Sequence, residues 1–277
     1  MKNKLILGLV AGALLWFGGQ ALAQDAKDTK AQLRDLVAKI QAQLQAGKKS
    51  EADLAPYLKE FDTLLAEHKG EKTDDVAQIL LMKAMLYVQV MDNADKGVEL
   101  VKQLKQDYPE TAPGKQADTI LASIEKQAAA KKIQAALAVG TVFPDFNEKD
   151  LAGKPLSVAN YKGKVVLVDF WATWCGPCVG ELPNVLKTYE KYQAKGFEII
   201  GISLDDSKDA LDKFIKDKGV SWVQFFDGKG WGNKLAAQYG VNSIPATYLL
   251  DGQGKILAKN LRGEALETEV AKQLSKP

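Results

Sequence analysis

Val165 to Trp171 is an apolar run broken only by Asp169, and Cys175-Gly176-Pro177-Cys178 follows it almost at once. A run of this length, rich in β-branched residues, reads as a strand buried on both faces. Such a strand needs helices on either side of its sheet, so its neighbours must include parallel strands reached by helical crossovers. The downstream pattern supplies them. A helix is predicted from Cys178 to about Lys195, with Leu182, Val185, Leu186 and Tyr189 on its inner face. A strand at 197–204, a helix at 208–218, a strand at 223–226 and a helix at 233–239 follow. Strands at 246–250 and 256–260, meeting around Asp251-Gly252, and a last helix at 264–274 complete the order. Upstream, Phe143 to Phe146 and Leu151 to Val158 predict a short hairpin around Gly153. The C-terminal part is therefore expected to be α/β, a central mixed sheet flanked by helices.

The first half is patterned differently. From Asp25 to about Ala136, apolar residues recur at helical spacing, as in Leu33, Leu36, Val37, Ile40 and Leu44, or in Ile79, Met82, Tyr87, Val90 and Met91. Five helices are predicted, over 28–46, 51–68, 73–91, 94–107 and 114–134, punctuated by Gly47, Gly70, Asn93, Pro109 and Pro113. The stretch around Asp107-Tyr108-Pro109 resembles the helical hairpins of tetratricopeptide-type modules, without their period of about 34 residues. At the start, Lys2 and Lys4, the apolar stretch from Leu5 to Phe17 and Ala21-Leu22-Ala23 are the three parts of a secretory signal peptide, with cleavage after Ala23. The competing reading is a retained membrane anchor over residues 5–24, against which stand Gly18, Gly19 and Gln20. The expected organisation is a signal peptide (1–23), an all-α helical-hairpin domain (24–137) and an α/β domain (138–277), with the mature chain periplasmic or otherwise exported.

Charge and cysteine usage exclude several functions. The chain has 37 basic and 35 acidic residues, and loss of Lys2 and Lys4 makes the two signs equal. Neither nucleic acid nor an anionic lipid surface is an expected partner. Cys175 and Cys178 are the only cysteines. A disulfide across a two-residue gap staples almost nothing, and a tetrahedral zinc site needs two further ligands, so no metal is expected. His68, the single histidine, reads as a solvated helix residue.

What remains is redox chemistry. A reactive dithiol needs one exposed sulfur stabilised as thiolate and a second within reach to resolve a mixed disulfide. Cys-x-x-Cys at the start of a helix supplies both, because unpaired backbone N–H groups and the helix dipole favour negative charge on Cys175. Cys178, one turn further in, is expected to be the more buried of the two. Pro177 fits the first turn, where its missing N–H costs little.

The segment from Val165 through Cys178 closely resembles the active-site segment of thioredoxins. The wider context resembles their exported TlpA and ResA-like relatives, through Gly163-Lys164-Val165, Glu181-Leu182-Pro183, Tyr239-Gly240-Val241, Ile244-Pro245-Ala246-Thr247 and Asp251-Gly252. The resemblance spans about residues 140–275 and implies a thioredoxin fold and a protein-disulfide reductase. By that resemblance Cys175 attacks the substrate disulfide and Cys178 resolves it, the Cys175–Cys178 disulfide being the only redox group and no other cofactor being needed. Asp169 matches the buried acid that manages the proton of the second cysteine; burial should raise its pKa toward neutrality. The competing reading is an Asp that merely bonds backbone at a strand end. Glu181 matches the acid that ResA-like proteins keep near their thiols, with an exposed helix Glu as the alternative. Pro245 matches the cis-proline that, with Ile244, pairs its backbone with an extended substrate; otherwise it opens an edge strand. Trp174, Gly176 and Pro177 complete the substrate-binding set, Trp174 walling the exposed sulfur and Trp171 packing in the core. One position departs from thioredoxins: Gly201 stands where they place a lysine near the buried acid.

Two other functions compete. A peroxiredoxin-like peroxidase would place a hydroxyl residue where Ala172 stands and an arginine nearby, whereas the chain has only Arg34 and Arg262. A client-binding or chaperone protein would make the helical domain the functional part. The expected partners are protein thiol or disulfide substrates and, by hypothesis, a membrane thiol carrier as electron donor, with the helical domain recruiting a protein partner. The Gly-Pro dipeptide between the cysteines favours a reductase over a strong oxidant.

Overall fold

The computed structural model describes residues 29–275; the predicted signal peptide lies outside the described residues. The chain divides into two compact units between Lys126 and Gln127.

The first unit is helical. It comprises α1 (Thr29–Gln45), α2 (Glu51–Glu67), α3 (Asp74–Gln89), α4 (Ala94–Asp107), the single turn α5 (Ala112–Lys115) and the first half of α6 (Ala117–Ala136). Side-chain caps explain the starts: Ser50 and Asp53 form a capping box on α2, and Thr73 and Asn93 accept from backbone N–H groups of α3 and α4. Leu36, Leu54, Phe61, Ile79, Leu80, Val101 and Leu104 fill the core. His68 departs from its expected place in solvent. It caps the C-terminus of α2 at only 7% exposure. Its Nδ1 lies 3.0 Å from Glu71 Oε1 and its Nε2 3.3 Å from both Gln32 Oε1 and Thr29 Oγ1. The reason lies in the period: Leu54, Leu58, Phe61 and Leu64 define the buried stripe of α2, and His68 is its next member.

The second unit contains a small hairpin, β1 (Glu148–Lys149) with β2 (Pro155–Leu156), and a five-stranded sheet. Along the chain the sheet unit runs β3 (Val165–Trp171), α7 (Gly176–Tyr192), β4 (Phe197–Ser203), α8 (Lys208–Lys218), β5 (Val223–Phe226), α9 (Lys234–Gln238), β6 (Ala246–Leu250), β7 (Ile256–Lys259) and α10 (Glu264–Leu274). The order across the sheet is β5-β4-β3-β6-β7, parallel among β3, β4 and β5 and antiparallel from β3 to β6 and from β6 to β7. This is the mixed sheet flanked by helices that the sequence predicts, a thioredoxin fold.

Strand β3 is buried on both faces because its alternate residues enter different cores. Val166, Val168 and Phe170 pack with Phe143, Tyr239 and Tyr248, where the Phe143 and Tyr239 rings stack at 4.4 Å. Val165 and Leu167 pack with Leu182, Val185, Leu266 and Val270 from α7 and α10. The second half of α6 also belongs to this unit. Ile133 and Leu137 join the Phe143 core, and Gln134 Nε2 donates to the Tyr239 carbonyl at 2.6 Å and to the Tyr248 hydroxyl at 2.5 Å. Lys259 Nζ in turn donates to Gln134 Oε1 at 3.0 Å.

Candidate active site

Strand β3 ends at Trp171 and α7 begins at Gly176, so Cys175 is the N-cap residue and Gly176 and Pro177 form the first turn. Cys175 Sγ accepts the backbone N–H of Cys178 at 3.2 Å. Cys175 and Cys178 are joined by a disulfide. Neither is more open than the other: Cys175 is 5% exposed and Cys178 7%. The expected contrast of an open Cys175 and a covered Cys178 is thus absent from this oxidised pair, because both cysteines belong to the buried cluster on one face of the sheet.

The loop ahead of Cys175 is tied down from below. Asp205, 2% exposed, accepts from the Thr173 N–H at 3.1 Å, from the Thr173 hydroxyl at 2.5 Å and from the Ser203 hydroxyl at 2.7 Å. Nothing in the sequence pattern marks Asp205 for this task. Trp174, next in the loop, is 52% exposed and lies beside Trp231, 47% exposed, with ring centroids 6.1 Å apart. Trp171 is buried and donates its indole N–H to Gln224 Oε1 at 2.9 Å.

On the far side of the cysteines the Ile244–Pro245 peptide bond is cis, immediately before β6. Because β6 is paired with β3 on one side and β7 on the other, Pro245 does not open an edge strand.

Asp169, Cys178, Glu181, Pro245, Thr247 and Arg262 line a cavity of about 20 Å³, room for roughly one water molecule. Asp169 retains part of its surface, yet protein surrounds its carboxyl so closely that desolvation raises its pKa to about 7, outweighing the lowering by Arg262; Glu181 raises it further. Glu181 is half-buried, not a solvated helix residue. Its Oε1 accepts the Gly263 N–H at 2.5 Å and its Oε2 the Asn184 amide at 3.4 Å. Gly263, at φ +55°, takes a conformation that favours glycine and thereby turns its N–H toward Glu181.

Opposite Asp169, Gly201 carries no side chain to the site. The space above it is filled by the amide of Gln224, its partner on β5. The cation near the acids is instead Arg262, from the loop between β7 and α10. In the sequence Arg262 stands out only as one of two arginines in the chain. Its neighbourhood in sequence, Leu261-Arg262-Gly263, offers no period or motif that would have singled it out. Among the described residues no group of three or more His, Cys, Asp or Glu side chains is placed to hold a metal ion.

A disulfide-bonded cysteine pair at a strand-to-helix junction, beside a cis-proline loop and a desolvated acid, has the chemistry to exchange disulfides. The profile of the AhpC/TSA family matches residues 139–259. The thiol-disulfide oxidoreductase ResA of Bacillus thuringiensis is 33% identical over 138 residues, 50% of this chain and 78% of that protein. The chain belongs to the ResA-like thiol-disulfide oxidoreductases. ResA of Bacillus subtilis is 32% identical over 118 residues, covering 43% of this chain and 64% of that protein. A solved thioredoxin domain of a thiol-disulfide oxidoreductase from Bacteroides vulgatus is 38% identical, covers 50% of this chain and 99% of that chain, and superimposes with a TM-score of 0.47. As an oxidoreductase of this family the chain is an enzyme that exchanges thiols and disulfides. Both ResA relatives match it over half of its length or less.

Proposed function

We propose that the chain is an exported reductase of protein disulfides. In the reduced enzyme the Cys175 thiolate attacks one sulfur of a substrate disulfide, forming a mixed disulfide and releasing the other sulfur as a thiolate. Cys178 passes its proton to the Asp169 carboxylate and, as thiolate, attacks Cys175 Sγ. The second substrate thiolate leaves, and two electrons have moved from the enzyme dithiol to the substrate, giving the Cys175–Cys178 disulfide. Rereduction requires an external dithiol donor, which we assign to a membrane thiol carrier.

The observation that carries this reading is the common cavity of Cys178, Asp169, Glu181 and Pro245. An acid with its pKa at about 7 can accept the Cys178 proton and release it again near neutral pH. The N–H that Cys175 Sγ receives from Cys178 favours negative charge on the attacking sulfur. The cis Ile244–Pro245 segment offers backbone groups for pairing with an extended client, and exposed Trp174 an apolar surface beside it. Ala172 puts a methyl group where a peroxidase would need a hydroxyl. Export is supported by the N-terminal Lys2-to-Ala23 pattern. The helical unit, whose described residues carry no catalytic constellation, is assigned the recruitment of a protein partner.

The redox potential tests the direction. A value nearer to about −270 mV, as in thioredoxin, is expected; one near about −120 mV, as in strong oxidants, would overturn the reductase assignment.

A further inference from the structure

We infer that Arg262 is a positioning residue of the disulfide exchange, serving at once as the cation of the Asp169–Glu181 acid pair and as the clamp on the cis-proline backbone. It rests on the reading that Asp169 accepts the proton of Cys178.

The geometry puts three tasks on one guanidinium. Arg262 Nη2 donates to the Pro245 carbonyl at 2.7 Å, and Nη1 donates to the Thr247 hydroxyl at 3.0 Å and to the Leu261 carbonyl at 2.6 Å. Thr247 is the direct cross-strand neighbour of Asp169. The following residue, Gly263, donates its N–H to Glu181. A single two-residue segment thus holds the acid on α7, the residue beside the acid on β3 and the peptide after the cis bond.

The electrostatics agree with the geometry. The titratable groups lining the cavity with Arg262 are Asp169 from β3 and Glu181 from α7; Cys178 of α7 also lines it and titrates only once the disulfide is reduced. Arg262 favours the ionised form of Asp169, and Glu181 disfavours it. Both carboxylates in turn favour the charged guanidinium, against the burial that disfavours it. An arginine keeps its proton under these conditions. Gly201 on β4 leaves the acid without a cation from its own sheet neighbour, and Arg262 delivers one from the opposite edge of the site. A fork that bonds the Pro245 carbonyl and the Thr247 hydroxyl also fixes the proline loop against the start of β6 in one orientation, which a point charge does not.

Two variants separate charge from fork. Arg262→Met removes both; Arg262→Lys keeps the charge. The Asp169 carboxyl is titrated by carbon-13 NMR in the oxidised protein, and KM is measured with a disulfide-bridged peptide and with a small aromatic disulfide that has no backbone to pair. The Met variant should raise the Asp169 midpoint by about one pH unit, and the Lys variant by clearly less. Both should raise KM severalfold for the peptide and leave it nearly unchanged for the small disulfide. If Arg262→Met does not fold, Arg262→Gln, which keeps donors without charge, takes its place with the same expected rise. An unmoved midpoint without the charge, or an equal shift in the Lys variant, would overturn the inference. Because the carboxyl is read without turnover, a shifted midpoint beside an unshifted pH–rate profile would support Arg262 and sink the use of Asp169 as proton acceptor.

Discussion

A Cβ on Gly201 would collide with Oε1 of Gln224, whose side chain is folded across the strand residue that faces Asp169. The amide does not swing aside freely, because Gln224 is 3% exposed and accepts from the Trp171 indole. Gly201→Ala should therefore destabilise the sheet unit by about 1–3 kcal/mol, read as a lower urea midpoint, and adding Gln224→Ala should recover part of the loss. An unchanged midpoint for the single variant would mean that the Gln224 amide is not fixed.

The Asp169 carboxyl gives a stability signature with a defined sign. In the folded chain it holds its proton up to about pH 7, in the unfolded chain only to about pH 4, so the folded state binds more protons between those values. Its contribution to stability is complete below about pH 4 and is lost as pH rises toward 7. Asp169→Asn should match the parent at pH 3 and exceed it by about 1–4 kcal/mol at pH 8. Denaturation curves of equal midpoint at pH 8 would contradict the burial of this charge. Disulfide reduction should slow in the same variant.

Replacing Glu181 by Gln acts in the opposite sense to removing Arg262. Its negative charge raises the Asp169 pKa, so Glu181→Gln should move the Asp169 midpoint downward by about half a pH unit. A midpoint that rises instead would show that the Gly263 loop has moved.

In the proposed mechanism the cysteines divide the reaction into two halves. Cys175→Ser should reduce insulin disulfide reduction by about a thousandfold or more, whereas Cys178→Ser should accumulate a mixed disulfide between Cys175 and its client. Recovery of no such adduct from the native compartment would count against protein substrates.

How much of this was legible in sequence follows from where the information sits. Strands β3, β5 and β6 and helices α8 and α10 lie at the residues that the apolar period predicts, because burial on one or both faces writes itself into consecutive side chains. Cys175, Cys178, Asp169, Glu181 and Pro245 were nameable because each sits in a compact motif beside a strand end or helix start. Arg262, Gln224 and Asp205 were not, since each acts through a partner more than fifteen residues away or across the sheet, and a single polar residue carries no period. His68 is the instructive middle case. Its place on the buried stripe of α2 was readable from the spacing, but its polarity argued for solvent, and three hydrogen-bonding neighbours resolve the conflict.

Gln134 separates inheritance from self-sufficiency. The family profile begins at residue 139, yet the Tyr248 hydroxyl and the Tyr239 carbonyl receive their bonds from an amide that precedes it. A catalytic fragment cut at the homology limit would leave a buried tyrosine and a main-chain oxygen beneath the sheet seeking replacements. Its weakness would then be mistaken for a property of the enzyme, although it belongs to the cut.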